Sequence, residues 1–109
     1  EMNNTYFLFT SDHGFQLGQH RLPGDKRHPY EHDIRIPFII RGPGIKANHT
    51  ETSIAMSIDV APTFVAIATG GSVPDDMDGV SLLPLLTAEK PTNWRRDFMV
   101  DYHGQGKEP

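Results

Sequence analysis

The junction at residues 6–14 constrains this chain more than any other feature. Tyr6-Phe7-Leu8-Phe9-Thr10-Ser11 is an almost continuous apolar, β-prone run that stops abruptly at Asp12-His13-Gly14. Because the run does not alternate, it predicts a strand buried on both faces, as in a parallel sheet covered by helices. A carboxylate and an imidazole just beyond such a strand lie where ligands bind in open α/β sheets. Gly14 allows the backbone to turn tightly there.

The remaining pattern is loop-rich. Residues 15–29 are dense in Gly, Pro, His and charge and predict a long loop, of the kind that is functional or disordered when it occurs in a compact domain. Residues 28–35 predict a short helix, with Pro29 suited to its first turn. Pro37-Phe38-Ile39-Ile40-Arg41 reads as a second strand, ended by Gly42-Pro43-Gly44. Residues 52–57 and 94–102 read as further short strands. The clearest helix opens at Ile58-Asp59-Val60-Ala61-Pro62-Thr63, with Asp59 as N-cap and Pro62 in the first turn. Val60, Phe64, Ile67 and Ala68 form its expected buried face, and Gly70-Gly71 its stop. An acidic loop follows over 72–79, then an apolar turn or helix over 81–86. The tail from Gly104 reads as polar and frayed. This order predicts an α/β fold, in one domain's length of 109 residues with no dividing linker.

Composition removes several function classes. A formal charge of −4 argues against a nucleic-acid surface, which needs clustered Lys and Arg. No apolar run approaches the roughly 20 residues of a membrane span. Residues 1–5 lack the basic region and cleavage pattern of a signal peptide. Zero Cys removes disulfides, thiolate zinc sites and a cysteine nucleophile from this stretch. Asn3-Asn4-Thr5 and Asn48-His49-Thr50 are glycosylation sequons.

Asp12-His13 admits two readings from its residues. One is a turn in which Asp12 caps local N–H groups and His13 is solvated. The other is a pair of metal ligands held at a rigid strand end. Two ligands fall short of the six or more that a hard divalent cation takes. Asp75, Asp76 and Asp78 are the best candidates for further carboxylates, in a loop that also reads as simply solvated. Lys26 is either a surface lysine or a compact positive charge placed for an anionic oxygen. His20, His28 and His32 offer proton-transfer or anion-binding groups without an evident partner. Arg35 pairs with Glu31 at i, i+4 spacing. There is no nucleophile elbow around Ser11 and no glycine-rich phosphate loop.

As an ordered set, the motifs resemble the C-terminal part of a sulfatase catalytic domain, within the alkaline-phosphatase-like superfamily. Those motifs are Thr10-Ser11-Asp12-His13-Gly14, Leu17-Gly18-Gln19, Asp25-Lys26, Tyr30-Glu31, Arg35-Ile36-Pro37 and Arg41-Gly42-Pro43-Gly44. They continue with Ile58-Asp59-Val60-Ala61-Pro62-Thr63 and Met77-Asp78-Gly79-Val80-Ser81-Leu82-Leu83-Pro84-Leu85-Leu86. Trp94-Arg95-Arg96-Asp97 and Asp101-Tyr102-His103-Gly104 look most like the N-acetylglucosamine-6-sulfatase branch. The resemblance implies part of a sandwich with a mostly parallel central sheet. It implies that residues 1–109 are a partial catalytic domain, without the N-terminal region that carries the nucleophile. Asp12 and His13 would be ligands of an active-site calcium, and Lys26 would be the catalytic lysine that contacts the sulfate. The nucleophile would be a formylglycine on the N-terminal part. The implied partner is a sulfated glycan of the glycosaminoglycan type, cleaved in the lysosome or outside the cell. Two alternatives remain at this point: a phosphate or phosphonate ester hydrolase of the same superfamily, and a catalytically inert glycan-binding stretch.

Overall fold

The computed structural model describes residues 1–87 and 91–103. The frayed tail expected from Gly104 lies outside the described residues. The chain divides into two compact units. The first comprises Glu1–Tyr6 with Arg41–Phe98, and the second comprises Phe7–Ile40 with the segment from Met99. No linker marks the division in the sequence because the boundaries do not fall in a Pro- or Gly-rich stretch.

β1 (Phe7–Thr10) pairs with β2 (Phe38–Arg41) in a two-stranded sheet. The strands run antiparallel, so the expected parallel arrangement does not hold for this pair. Their flanks show the same direction. The Tyr6 hydroxyl donates to the Pro43 carbonyl at 2.9 Å, and its ring lies against Gly42. The residue before β1 thus neighbours the residue after β2. Nor is β1 buried on both faces: Phe7 is 49% and Phe9 63% exposed, and Ile39 on β2 is 63% exposed. Two strands cannot cover their own faces, so an unalternating apolar run here leaves apolar surface open.

The expected helix over 28–35 contracts to one turn, α1 (Glu31–Ile34). Tyr30 before it and Arg35 after it are extended. Pro37 disfavours helical backbone at Ile36 and so limits any continuation. Asp33 is the buried residue of this turn.

The first unit is built on α2 (Val60–Thr69) and α3 (Leu83–Thr87). Gly70 ends α2 in the left-handed region at φ 75°, its N–H bonded to the Ala66 carbonyl, so the expected stop is in place. The buried face is not the expected one. Pro62, Thr63 and Ala66 point inward, whereas Phe64 is 45% exposed. Thr63 can be buried because its hydroxyl is satisfied twice. It donates to the Asp59 carbonyl at 2.6 Å and accepts the Leu82 N–H at 2.8 Å. Leu82 and Leu85 complete the core against α2.

Asp59 does not cap α2 through its side chain. Its carboxylate is fully buried and accepts the N–H groups of Met56 and Val80 at 2.8 and 2.9 Å. Arg95 adds a two-point contact at 2.7 and 2.8 Å. The expected strands over 52–57 and 94–102 do not form. The Glu51 carboxylate turns the first stretch by accepting the N–H groups of Thr52 and Ser53. The second stretch is held by side chains, with the Trp94 indole N–H on the Ile54 carbonyl at 2.7 Å. Among the described residues, no helix is long and apolar enough to cross a membrane.

Candidate active site

The end of β1 and the loop that follows it bring together three of the residues singled out from sequence. Asp12 and His13 follow β1 directly, and their side chains approach to 3.2 Å between Asp12 Oδ2 and His13 Nε2. Lys26, thirteen residues further on, places Nζ at 2.5 Å from the same His13 nitrogen. The other ring nitrogen, Nδ1, lies 2.6 Å from the Gly14 carbonyl oxygen. A carbonyl can only accept, so we assign the imidazole proton to Nδ1. The Nε2 lone pair then accepts from the Lys26 ammonium.

The strand end is tied locally. The Ser11 hydroxyl donates to the His13 carbonyl at 2.8 Å. The Asp12 side chain is 82% exposed, while that of His13 is 34% exposed. The Asp12 carboxyl is held below its usual range, first by a hydrogen bond from its own N–H, against a smaller opposing desolvation. The nearby Lys26 ammonium adds to the lowering. This carboxylate is therefore anionic at neutral pH.

The donor set suits a cation. A carboxylate oxygen and an imidazole nitrogen sit 3.2 Å apart on one side of the strand end, with the imidazole oriented through its distal nitrogen. The Lys26 ammonium already sits on the other ring nitrogen, Nε2. The pair fits two positions of a metal site and no more. Among the described residues, no group of three or more His, Asp or Glu could hold a metal. Asp75, Asp76 and Asp78 are exposed in the first unit's loop and form no such group.

His20, His28 and His32 lie elsewhere in this unit. His20 and His32 meet edge to face with ring centroids 5.5 Å apart, and His28 tilts against Tyr30 at 5.8 Å. His20, His32, Tyr30, Glu31 and Leu22 line a cavity of about 370 Å³. Glu31 pairs with Arg35 at 3.3 Å on the surface, at the expected spacing.

Three contributors were missed from sequence. Asp25 accepts the Lys26 N–H at 2.8 Å and the Arg27 side chain at 2.6 Å. Those two hydrogen bonds, the backbone one foremost, hold its carboxyl below the usual range. Gln16 is completely buried and pairs with Asp25 through both backbone groups. Asp33 is 5% exposed and bonds to His28. The isolated Gln16–Asp25 bridge carries no periodic signal, and a single Asp in a polar stretch reads as solvated.

The chain is similar to several known proteins. The family described as "N-sulphoglucosamine sulphohydrolase, C-terminal" matches residues 18–108. N-acetylglucosamine-6-sulfatase of Homo sapiens is 47% identical over 107 residues, covering 98% of this chain and 19% of that protein. A solved structure described as a complex with its substrate D-glucosamine-2-N,6-O-disulfate superposes with a TM-score of 0.85 at 43% identity. It covers 97% of this chain and 22% of the other. A phosphonate monoester hydrolase from Silicibacter pomeroyi superposes with a TM-score of 0.75 at 37% identity, covering 84% of this chain and 18% of the other. The chain thus spans about a fifth of the length of the relatives it matches, and its α/β arrangement is a piece of the alkaline-phosphatase-like fold. On this evidence the chain belongs to the sulfatase family, matching its N-sulphoglucosamine sulphohydrolase C-terminal region.

Proposed function

We propose that this chain forms part of the active site of a sulfuric ester hydrolase that removes 6-O-sulfate from N-acetylglucosamine units of glycosaminoglycans. The observation that carries the reading is the convergence of Lys26, His13 and Asp12 at the end of β1. Residues far apart in the chain meet there, and together they offer one positive donor and two cation ligands. The glucosamine specificity is supported by the 47% identical relative and by the substrate named for the solved structure.

In this reading Asp12 and His13 hold a calcium ion, which when bound neutralises charge on the sulfate oxygens. The formylglycine nucleophile belongs to sequence outside this chain, in keeping with its zero Cys count. The Nδ1 hydrogen bond to Gly14 keeps the His13 lone pair on Nε2, the atom that would serve as the cation ligand. Lys26 then contacts a sulfate oxygen, where its ammonium stabilises the charge that develops as the ester bond breaks. Two unit charges 4 Å apart interact by about 4 kcal/mol at an effective dielectric of 20. At about 1.4 kcal/mol per decade, that is a rate effect of roughly a hundredfold or more. A lysosomal or secreted location is part of the same reading, supported by sequons at the exposed residues Asn3 and Asn48.

The test is steady-state kinetics of the full-length protein on N-acetylglucosamine 6-sulfate. Lys26→Ala is expected to lower kcat at least about a hundredfold. Wild-type turnover in the Lys26→Ala enzyme would overturn the assignment. The 109-residue chain alone is expected to show no turnover, since two cation ligands and one lysine lack a nucleophile.

A second reading is hydrolysis of phosphate or phosphonate monoesters, favoured by the likeness to the phosphonate monoester hydrolase. Its demands on a cation and a lysine are the same. Comparing kcat/KM on a sulfate ester and on a phosphonate monoester separates the two, and the sulfate ester is expected to be the better substrate.

A further inference from the structure

Lys26 is an exposed, long side chain, yet its ammonium meets one nitrogen of one imidazole. Something must fix the loop that carries it. Residues on both sides of Lys26 are tied down. On one side, Asp25 exchanges two backbone hydrogen bonds with the buried Gln16, at 2.8 and 3.1 Å. This holds Asp25 at φ 144°, a backbone region that side chains other than glycine rarely adopt. On the other side, the His28 N–H donates to Asp33 Oδ2 at 3.0 Å.

Asp33 also reaches the opposite arm of the site. Its carbonyl accepts the Gly14 N–H at 2.7 Å, directly after His13. The contact is so close that a Cβ on Gly14 would collide with the His32 carbonyl. One residue of α1 therefore holds the strand end that bears Asp12 and His13 through its backbone, and the loop that bears Lys26 through its carboxylate.

We infer that Asp33 is a positioning residue that acts through Lys26, clamping the Lys26 loop against the strand end. This rests on the assignment of Lys26 to the sulfate. Asp33 touches neither Lys26 nor the Asp12–His13 pair with its carboxylate, so it performs no chemistry itself. Losing the acceptor frees the His28 N–H and lets residues 26–28 drift from the position set by α1. A displacement of about 1 Å in a positioned group can cost on the order of a hundredfold in rate. Oδ1 has no hydrogen-bond partner among the described residues. One acceptor oxygen is therefore enough for the clamp, and an amide can replace the carboxylate.

The experiment is a kinetic double-mutant cycle in the full-length sulfatase on N-acetylglucosamine 6-sulfate. Asp33→Ala is expected to lower kcat about tenfold to a hundredfold, with KM changed less than about threefold. Asp33→Asn, which keeps an acceptor for His28, is expected to restore most of that loss. In the Lys26→Ala background, Asp33→Ala is expected to cost less than about threefold further, because the group it positions is gone. Equal losses in the two backgrounds, or no rescue by Asn, would overturn the inference while leaving Lys26 in its role. If Lys26→Ala alone retains wild-type kcat, the functional reading fails first and is recognised separately. Should Asp33→Ala not fold, Asp33→Ser takes its place. Its hydroxyl falls short of the His28 N–H, and the same cycle decides.

Discussion

Two aspartates, one in each compact unit, show how differently this chain uses the same carboxylate. Asp59 is fully buried and meets four donors: two backbone N–H groups and both terminal nitrogens of Arg95. Asp12 is 82% exposed at its side chain and faces an imidazole and a lysine across the strand end. The first site is saturated and can bind nothing further. The second is open and retains acceptor capacity. A sealed charge network serves the fold, and an unsealed one is free to meet a ligand.

That contrast is tested most severely at Asp59. Asp59→Ala would leave the Arg95 guanidinium, 18% exposed, without its anion, and would free the Met56 and Val80 N–H groups. Removing one partner of a buried ion pair costs about 3–5 kcal/mol. The chain's single tryptophan reports on this unit, because Trp94 adjoins Arg95 and its guanidinium lies 5.6 Å from the Trp94 ring centroid. Urea titration followed by Trp94 fluorescence is expected to show the full loss in Asp59→Ala. It is expected to show a smaller loss when Arg95→Met is added, because no unpaired charge then remains. A larger loss in the double variant would mean that the pair is more than a sealed charge.

Thr63 carries the next effect. Its hydroxyl joins the Asp59 carbonyl to the Leu82 N–H inside the first unit. Thr63→Val keeps the shape and leaves both of those groups unpartnered. The expected loss is about 1–3 kcal/mol in the same titration. A neutral result would show that the buried carbonyl and N–H find other partners, and that the saturation around Asp59 is less complete than its geometry suggests.

The legible parts of the molecule follow from range. Asp12, His13 and Lys26 stand out because a polar triplet interrupts an apolar run and because the motifs keep their order along the chain. The stop of α2 at Gly70 and the short helix after Leu82 were equally local. Asp59 does sit at the N-cap position of α2, but its carboxylate turns to Arg95, 36 residues away, and no spacing rule links the two. The buried stripe of α2 was misplaced for the same reason. Thr63 counts as polar until its two distant partners are known, so the apolar period drew Phe64 inward instead. The direction of β2 relative to β1 was hidden because an unalternating run states burial, not orientation. Residues 94–102 are apolar enough for a strand, but the Trp94–Ile54 and Arg95–Asp59 contacts hold that stretch by side chains.

Surface charge in the second unit gives a small effect. Arg35 and Glu31 are 81% and 70% exposed and meet at 3.3 Å with i, i+4 spacing. Arg35→Ala is expected to cost only about 0.3–0.5 kcal/mol, and less at high salt. A loss above about 1 kcal/mol would mean that this pair holds α1 in place, and so bears on the Asp33 clamp.

The smallest expected change is at Lys26, and it bears most directly on the contrast between the two units. Lys26 is exposed, and the imidazole that its Nζ meets is also held by the Gly14 carbonyl. Its backbone N–H, which donates to Asp25, survives substitution. Lys26→Ala is therefore expected to shift stability by no more than about 0.5 kcal/mol, as at an ordinary surface position. Thermal unfolding of the full-length protein checks it against the large fall in kcat. A substantial loss of stability together with unchanged turnover would reverse the contrast. Lys26 would then belong with Asp59 as a fold-bearing charge, and the open carboxylate of Asp12 would have to find its function without it.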